Sequence, residues 1–268
     1  MKGKRLLSGL TLFPIVALIF IYGNKYVLDI LVSIIAIMSL HEFYKAFETK
    51  AKPVKWIGYV AAAMIAIIHM IPSSLILNLI AAIVPISILL LFLTIIFTNM
   101  RTNIIDISVT FFGICYVVIF LIFVPLLREN LQNGKILIWY IFWAAWGTDV
   151  FAYVVGKTLG RHKFTRISPN KTIEGCIGGT VGAILIVLIY TIVCNNIWNL
   201  QINYLYIALI GCALSILGQI GDLSASSIKR YTEIKDFSNL IPGHGGMLDR
   251  IDSVLFIAPF AYFLLSLI

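Results

Sequence analysis

The stretch KDFSNLIPGHGGMLDRID, residues 235–252, gathers Lys235, Asp236, His244, Asp249, Arg250 and Asp252 into one short segment, with Gly243, Gly245 and Gly246 between them. Two more acids stand in apolar surroundings, Asp149 in WGTDVFAY and Asp222 in GQIGDLSAS. Carboxylates that converge from several segments repel one another unless a cation compensates. Hard oxygen donors without nearby Cys or paired His favour Mg2+ or a similar ion, which keeps part of its water and bridges to phosphates. Asp249 and Asp252 are three residues apart and share a face if a helix begins there. The plainer reading makes them helix-start residues facing the dipole, with Arg250 as an ion-pair partner.

The basic residues complete the pattern. GRHKFTRISPNKTIEG, residues 160–175, carries Arg161, Lys163, Arg166 and Lys171 around Ser168, Pro169 and Thr172, while SSIKRYTEIKD adds Lys229 and Arg230. A polyphosphate needs counter-charge of this kind. In PGHGGMLDR the glycines let backbone N–H groups approach an anion, and His244 is placed to donate to a phosphate oxygen. Each piece has a plain alternative: topology and lipid headgroups for Arg161 and Lys163, a local loop hydrogen bond for His244. Their concentration beside the acids points instead to a metal, a phosphate-rich ligand and a reaction between a soluble phosphate donor and a lipid.

The elements that must position these residues are membrane helices. Of 268 residues, 60% are hydrophobic and 12% charged, and the mean hydropathy is +1.00. The expected class is an all-α, polytopic integral membrane protein, because a spanning helix needs roughly 20 mostly apolar residues. Polar or Pro/Gly punctuation divides the chain into about nine such pieces, near 6–22, 27–44, 57–71, 75–97, 104–127, 136–156, 176–194, 202–221 and 252–268. The first follows Lys2, Lys4 and Arg5 but contains Pro14 and is not followed by a small-x-small cleavage site, so it reads as a retained helix. With the N-terminus cytosolic, 17 of the 20 Lys and Arg fall in cytosolic segments, leaving Lys25, Arg128 and Lys135 outside.

This distribution makes the net charge of +8 a topology signal suited to anionic lipids, with no nucleic-acid partner implied. Cys115, Cys176, Cys194 and Cys212 sit singly in apolar runs, without metal spacing. A single transmembrane domain is expected over residues 1–268, with scaffold spans to about 135 and catalytic spans and loops over about 136–268. The long polar loops fall at about 157–175 and 222–251, whereas the first five spans hold few ionisable residues.

SSIKRYTEIKDFSNLIPGHGGMLDRID, residues 226–252, resembles the C-terminal signature of the phosphatidate cytidylyltransferases, or CDP-diacylglycerol synthases: S-x-apolar-K-R, then K-D, then P-G-H-G-G-x-x-D-R-x-D. DVFAYVVGKTLGRHK and ISPNKTIEG look like the same family, with Ser168, Pro169, Lys171, Thr172, Glu174 and Gly175 in the second. The resemblance covers roughly the C-terminal half; in the N-terminal half only HEFY, His41–Tyr44, matches beyond hydropathy. One departure is Ala225, where the signature usually carries Glu.

The resemblance implies transfer of CMP from CTP to phosphatidic acid, giving CDP-diacylglycerol and pyrophosphate. It implies Mg2+, with a second cation left open, held by Asp222 and Asp249, and Asp149 and Asp252 close by. Lys171, Lys229, Arg230 and Lys235 would hold phosphates, Arg250 would pair with phosphate or Asp252, and Asp236 belongs to the same motif. Ser168, Thr172, Ser226, Gly245, Gly246 and His244 would contact substrate. A homodimer fits the family, as does a bacterial cell membrane with the site facing the cytosol. Two other readings compete: a CTP-dependent polyprenol or phytol kinase or a cytidylyltransferase for a different lipid phosphate, and a cation-coupled transporter. The full K-D…P-G-H-G-G-x-x-D-R-x-D run is not expected of the kinase or of that other cytidylyltransferase. Against the transporter, the charges crowd one membrane face and no repeat is found.

Overall fold

The computed structural model describes residues 17–240 and 245–268. These residues form helices and one isolated antiparallel bridge, between Lys163 and Thr172. They divide into two compact units: one holds the chain up to Pro125 together with Tyr231–Arg250, the other Leu126–Arg230 together with Ile251–Ile268.

The first unit is built on α1 (Lys25–Phe47), α2 (Lys55–Ala63), α3 (Ser73–Phe97) and α4 (Ile104–Gly113). A 3-10 segment, Met64–Met70, extends α2, and a π-helical turn, Ile114–Ile119, extends α4. Asn24 caps α1 by accepting from Val27 N at 2.9 Å. Asn103 and Asp106 form a reciprocal capping box on α4, which satisfies two otherwise orphan donors. Asp106 also accepts from Lys52 N at 2.6 Å, and Thr110 accepts from Val54 N at 2.8 Å, so the α1–α2 connection is tied to α4 through its backbone. The Tyr44 hydroxyl completes this seam by donating to Thr110 O at 3.1 Å. Its ring fits because Gly58 and Gly113 have no Cβ: one built there would fall 2.1 Å from the Tyr44 hydroxyl or 2.6 Å from its ring.

After α5 (Phe123–Asn130), which bridges the division, the second unit contains α6 (Gly134–Leu137), α7 (Trp139–Leu159), α8 (Ile173–Trp198) and α9 (Tyr204–Tyr231). It also takes most of α10 (Leu248–Leu265). Helices α7 and α8 approach closely along small residues. A Cβ on Gly179 would lie 2.9 Å from Thr148 O, and one on Gly175 would lie 2.9 Å from Ala152 O. In lipid, where apolar surface gains nothing by leaving the tails, such backbone approach is a main source of helix association. A polar seam supplements it: Thr148 Oγ1 lies 2.7 Å from Ser215 Oγ, and Gln219 Nε2 donates to Thr180 Oγ1 at 3.1 Å.

Among the described residues, six helices are long and apolar enough to cross a membrane: Lys25–Phe47, Ser73–Phe97, Ile104–Asn130, Gly134–Leu159, Ile173–Trp198 and Tyr204–Tyr231. Each overlaps an expected span. The expected segment 57–71 falls on an apolar helix, Lys55–Met70, that is shorter than these six, and most of 6–22 lies outside the described residues. The last segment begins earlier than its hydropathy suggests, at Leu248, and carries Asp249, Arg250 and Asp252 on the helix itself. Helix α9 differs most. Its apolar run ends near residue 221, yet the helix continues to Tyr231, because Ala225 and Ser226 are buried and keep it packed. Asp222 therefore lies well inside α9 instead of closing it.

Candidate functional site

In the second unit, the segment between α7 and α8, residues 160–172, is tightly held. Phe164 N donates to Lys171 O at 3.0 Å and Ile173 N to His162 O at 2.9 Å, folding residues 162–173 back on themselves. Glu174, in the first turn of α8, accepts from His162 N at 3.2 Å and lies 2.6 Å from its Nδ1. Thr172 caps α8 by accepting from Gly175 N at 3.1 Å. These bonds fix Lys171, which forms an ion pair with Asp222 on α9. Arg230, one residue before the end of α9, donates from Nε to Ile167 O at 3.3 Å and so holds the same segment from its other side. Ser168 is half-buried on that segment.

Asp222 has a second carboxylate beside it. A Cβ on Gly221 would fall 2.5 Å from Asp252 O, so α9 and α10 touch backbone to backbone at this point. The charges acting on Asp252 are those of Asp222, Lys229 and Asp149, and its Oδ1 accepts from Ser253 N at 2.8 Å. Five of the residues singled out from the sequence thus form one acid–base cluster: Asp149, Lys171, Asp222, Lys229 and Asp252. Ser226, on the same helix as Asp222, is buried, and Ala225, at the position where the signature carries Glu, is fully buried.

The remaining site residues belong to the first unit. Asp249 Oδ2 accepts from Phe237 N at 3.0 Å and from Gly246 N at 3.1 Å, so this carboxylate draws two parts of the loop together. Gly245 has φ +80°, a left-handed conformation open to glycine, and a Cβ there would meet Asp249 Oδ2 at 3.2 Å. Lys235, Asp236 and Arg250 are exposed. His244, with Ile241, Pro242 and Gly243, lies outside the described residues.

Two acids escaped the reading of the first spans as nearly free of ionisable groups. Asp29 is completely buried in α1 and lies 2.8 and 3.0 Å from His69 Nδ1. Glu42, 3% exposed on the same helix, accepts from Ser238 Oγ at 2.5 Å, Met247 N at 2.9 Å and Leu248 N at 2.8 Å. The signal was present, since both acids interrupt the apolar run 27–44 and a buried acid in a membrane helix must have a partner.

Among the described residues no three His, Cys, Asp or Glu side chains are already arranged around a point as metal ligands. The chemistry of the donor set nevertheless suits a hard cation, because Asp149, Asp222 and Asp252 offer only carboxylate oxygens.

The fold and its cluster define a class: an all-α, polytopic integral membrane protein in which acids and bases from three helices and one connecting segment meet. A sequence model described as the cytidylyltransferase family matches residues 3–268, and the chain belongs to that family. It is similar to phosphatidate cytidylyltransferase of Bacillus subtilis (strain 168), 44% identical over 172 residues, covering 64% of this chain and 61% of the relative. The Staphylococcus aureus (strain COL) protein of that name is 35% identical over 267 residues, 95% of this chain and 97% of the relative. The Synechocystis sp. protein is 40% identical over 142 residues, 52% of this chain and 46% of the relative. The matched stretch therefore spans about three fifths of the first relative's length, under half of the third's and nearly all of the second's.

Proposed function

We propose that this chain transfers CMP from CTP to phosphatidic acid, forming CDP-diacylglycerol and releasing pyrophosphate. The observation that carries the reading is the cluster of Asp222, Asp252, Asp149, Lys171 and Lys229 in a chain matched along its length by the cytidylyltransferase family. In this reaction a phosphatidate oxygen attacks the α-phosphorus of CTP, the bond from that phosphorus to the bridging oxygen breaks, and pyrophosphate leaves. Phosphatidate is already anionic near neutral pH, so no general base is needed; alignment and charge neutralisation supply the rate. Lys171, Lys229, Arg230 and Lys235 would hold the phosphates, with Arg250 near them. Ser168, Thr172, Ser226 and His244 would add hydrogen bonds, and Gly245 and Gly246 would let the chain approach them closely.

Magnesium would be held by Asp222 and Asp249, with Asp149 and Asp252 close to Asp222. Bound there, it would neutralise charge developing on the triphosphate. An apolar groove of about 350 Å3 supports a lipid acceptor: Gln219 and Leu223, which flank Asp222 along α9, line it together with Cys176, Thr180 and Phe164. The distribution of Lys and Arg supports nine spans with the N-terminus and the site on the cytosolic side. Membrane-impermeant labelling of a cysteine placed at Arg166 tests that orientation, and labelling from outside intact cells would reverse it. The family resemblance supports a homodimer.

The decisive assay supplies purified protein with CTP labelled at the α-phosphate, phosphatidate and Mg2+. Label should enter the organic phase with stoichiometric pyrophosphate. Transfer of label only from the γ-position would replace this reading with a lipid kinase.

A further inference from the structure

We infer that Glu42, far from the signature in sequence, is a positioning residue for the signature loop, fixing residues 245–248 for turnover. The inference rests on the reaction proposed above and concerns a side chain that touches neither substrate.

The first amides of a helix have no partner within it, and a buried helix start needs acceptors from elsewhere. At the start of α10 the acceptor comes from α1: Glu42 Oε1 takes Met247 N at 2.9 Å and Oε2 takes Leu248 N at 2.8 Å. Oε1 also accepts from Ser238 Oγ at 2.5 Å, so one carboxylate binds both arms of the loop. The fit is close. A Cβ on Gly246 would fall 2.4 Å from Glu42 Oε2, and only glycine can occupy that position while the carboxylate stays in place. Asp249 works beside it through Phe237 N and Gly246 N.

The two acids are used differently. Asp249 takes Phe237 N and Gly246 N on one oxygen, Oδ2, so an asparagine oxygen can still accept those two. Glu42 uses both oxygens for N–H or O–H donors, so either orientation of a glutamine sets its NH2 group against a donor. Glu42→Gln is therefore the nearly isosteric change that should release the loop. The loop's site residues, Lys235, Asp236, Gly245, Gly246 and Arg250, move with it.

The test uses the full chain in lipid nanodiscs, with kcat referred to folded protein and amide hydrogen exchange read over residues 245–249. Glu42→Gln is expected to lower kcat about 10²-fold, the cost of misplacing reacting groups by about 1 Å. Exchange at 246–248 should rise about tenfold or more, with the KM for phosphatidate changed by less than about threefold. A double-mutant cycle read in Tm and in amide exchange at 247–248, not in turnover, supplies the second reading: Gly246→Ala should lower Tm and raise exchange in the wild-type background and add little in Glu42→Ala, where the carboxylate that a Cβ would meet is gone. Unchanged kcat per folded molecule with a lowered Tm would make Glu42 merely structural and overturn the inference, as would equal costs of Gly246→Ala in both backgrounds. Because exchange reports the clamp without turnover, a wild-type protein that fails to transfer CMP would refute the proposed reaction while leaving the clamp itself measurable.

Discussion

The two units use the same side chain for opposite purposes. In the first, Glu42, Asp106 and Asp249 spend their oxygens on backbone amides: Met247 and Leu248, Lys52 and Asn103, Phe237 and Gly246. In the second, Asp222 meets Lys171, and Asp252 lies in the field of Asp222, Asp149 and Lys229. A carboxylate satisfied by amides is a structural rivet whose value lies in the shape it holds. One set among other ionisable side chains is placed where a cation or a phosphate can use it. Residue type alone does not separate the two, and Asp249 and Asp252 make the point, since they are three residues apart on one helix and face different kinds of partner.

The comparison breaks most sharply at Asp222. Asp222→Asn should lower CMP transfer by about 10³-fold, the scale of losing a preorganised charge in a phosphoryl-transfer site, without reducing the amount of folded, membrane-inserted protein. Near-normal turnover would remove Asp222 from the site. Asp249→Asn sharpens the contrast. Turnover should fall about 10²-fold if its charge also serves the metal, while exchange at Phe237 and Gly246 stays within about threefold, because the amide oxygen still accepts both bonds. If exchange rises instead, Asp249 is a rivet of the Glu42 kind.

Packing sets the next scale. Gly179→Val drives a side chain toward Thr148 O and should cost about 1–3 kcal/mol, read as a Tm several degrees lower in detergent, with substrate KM values unchanged. The smallest effect belongs to the exposed pair of Lys55 and Glu48. The Lys55 ammonium, by hydrogen bond and by charge, holds the Glu48 carboxyl below its ordinary range. A depressed carboxylate contributes above its unfolded value, about 4.3, and loses that contribution as pH falls through the folded one. Lys55→Met should therefore shift Tm by no more than about 1 °C at pH 7, and the two proteins should melt together at low pH.

Much of this was legible before the fold. Six of the expected spans are helices within a few residues at most ends, because in lipid every backbone group must be paired within its own segment, and hydropathy marks where that holds. The signature at 226–252 led to the family through residue spacing alone. The overrun of α9 past residue 221 was not legible by hydropathy, since a helix carried by burial of Ala225 and Ser226 needs no apolar run. HEFY was visible but mute, because nothing local says that Glu42 binds residues about two hundred positions away.

By itself, the sequence determined that this is a helical membrane protein, which residues carry the charge, and which family their spacing belongs to; these follow from composition and short-range order. Tertiary structure alone decided the partners. It set Lys171 against Asp222, gathered Asp149 and Lys229 around Asp252, and brought Glu42 to the start of α10, because contacts between distant segments depend on how helices pack.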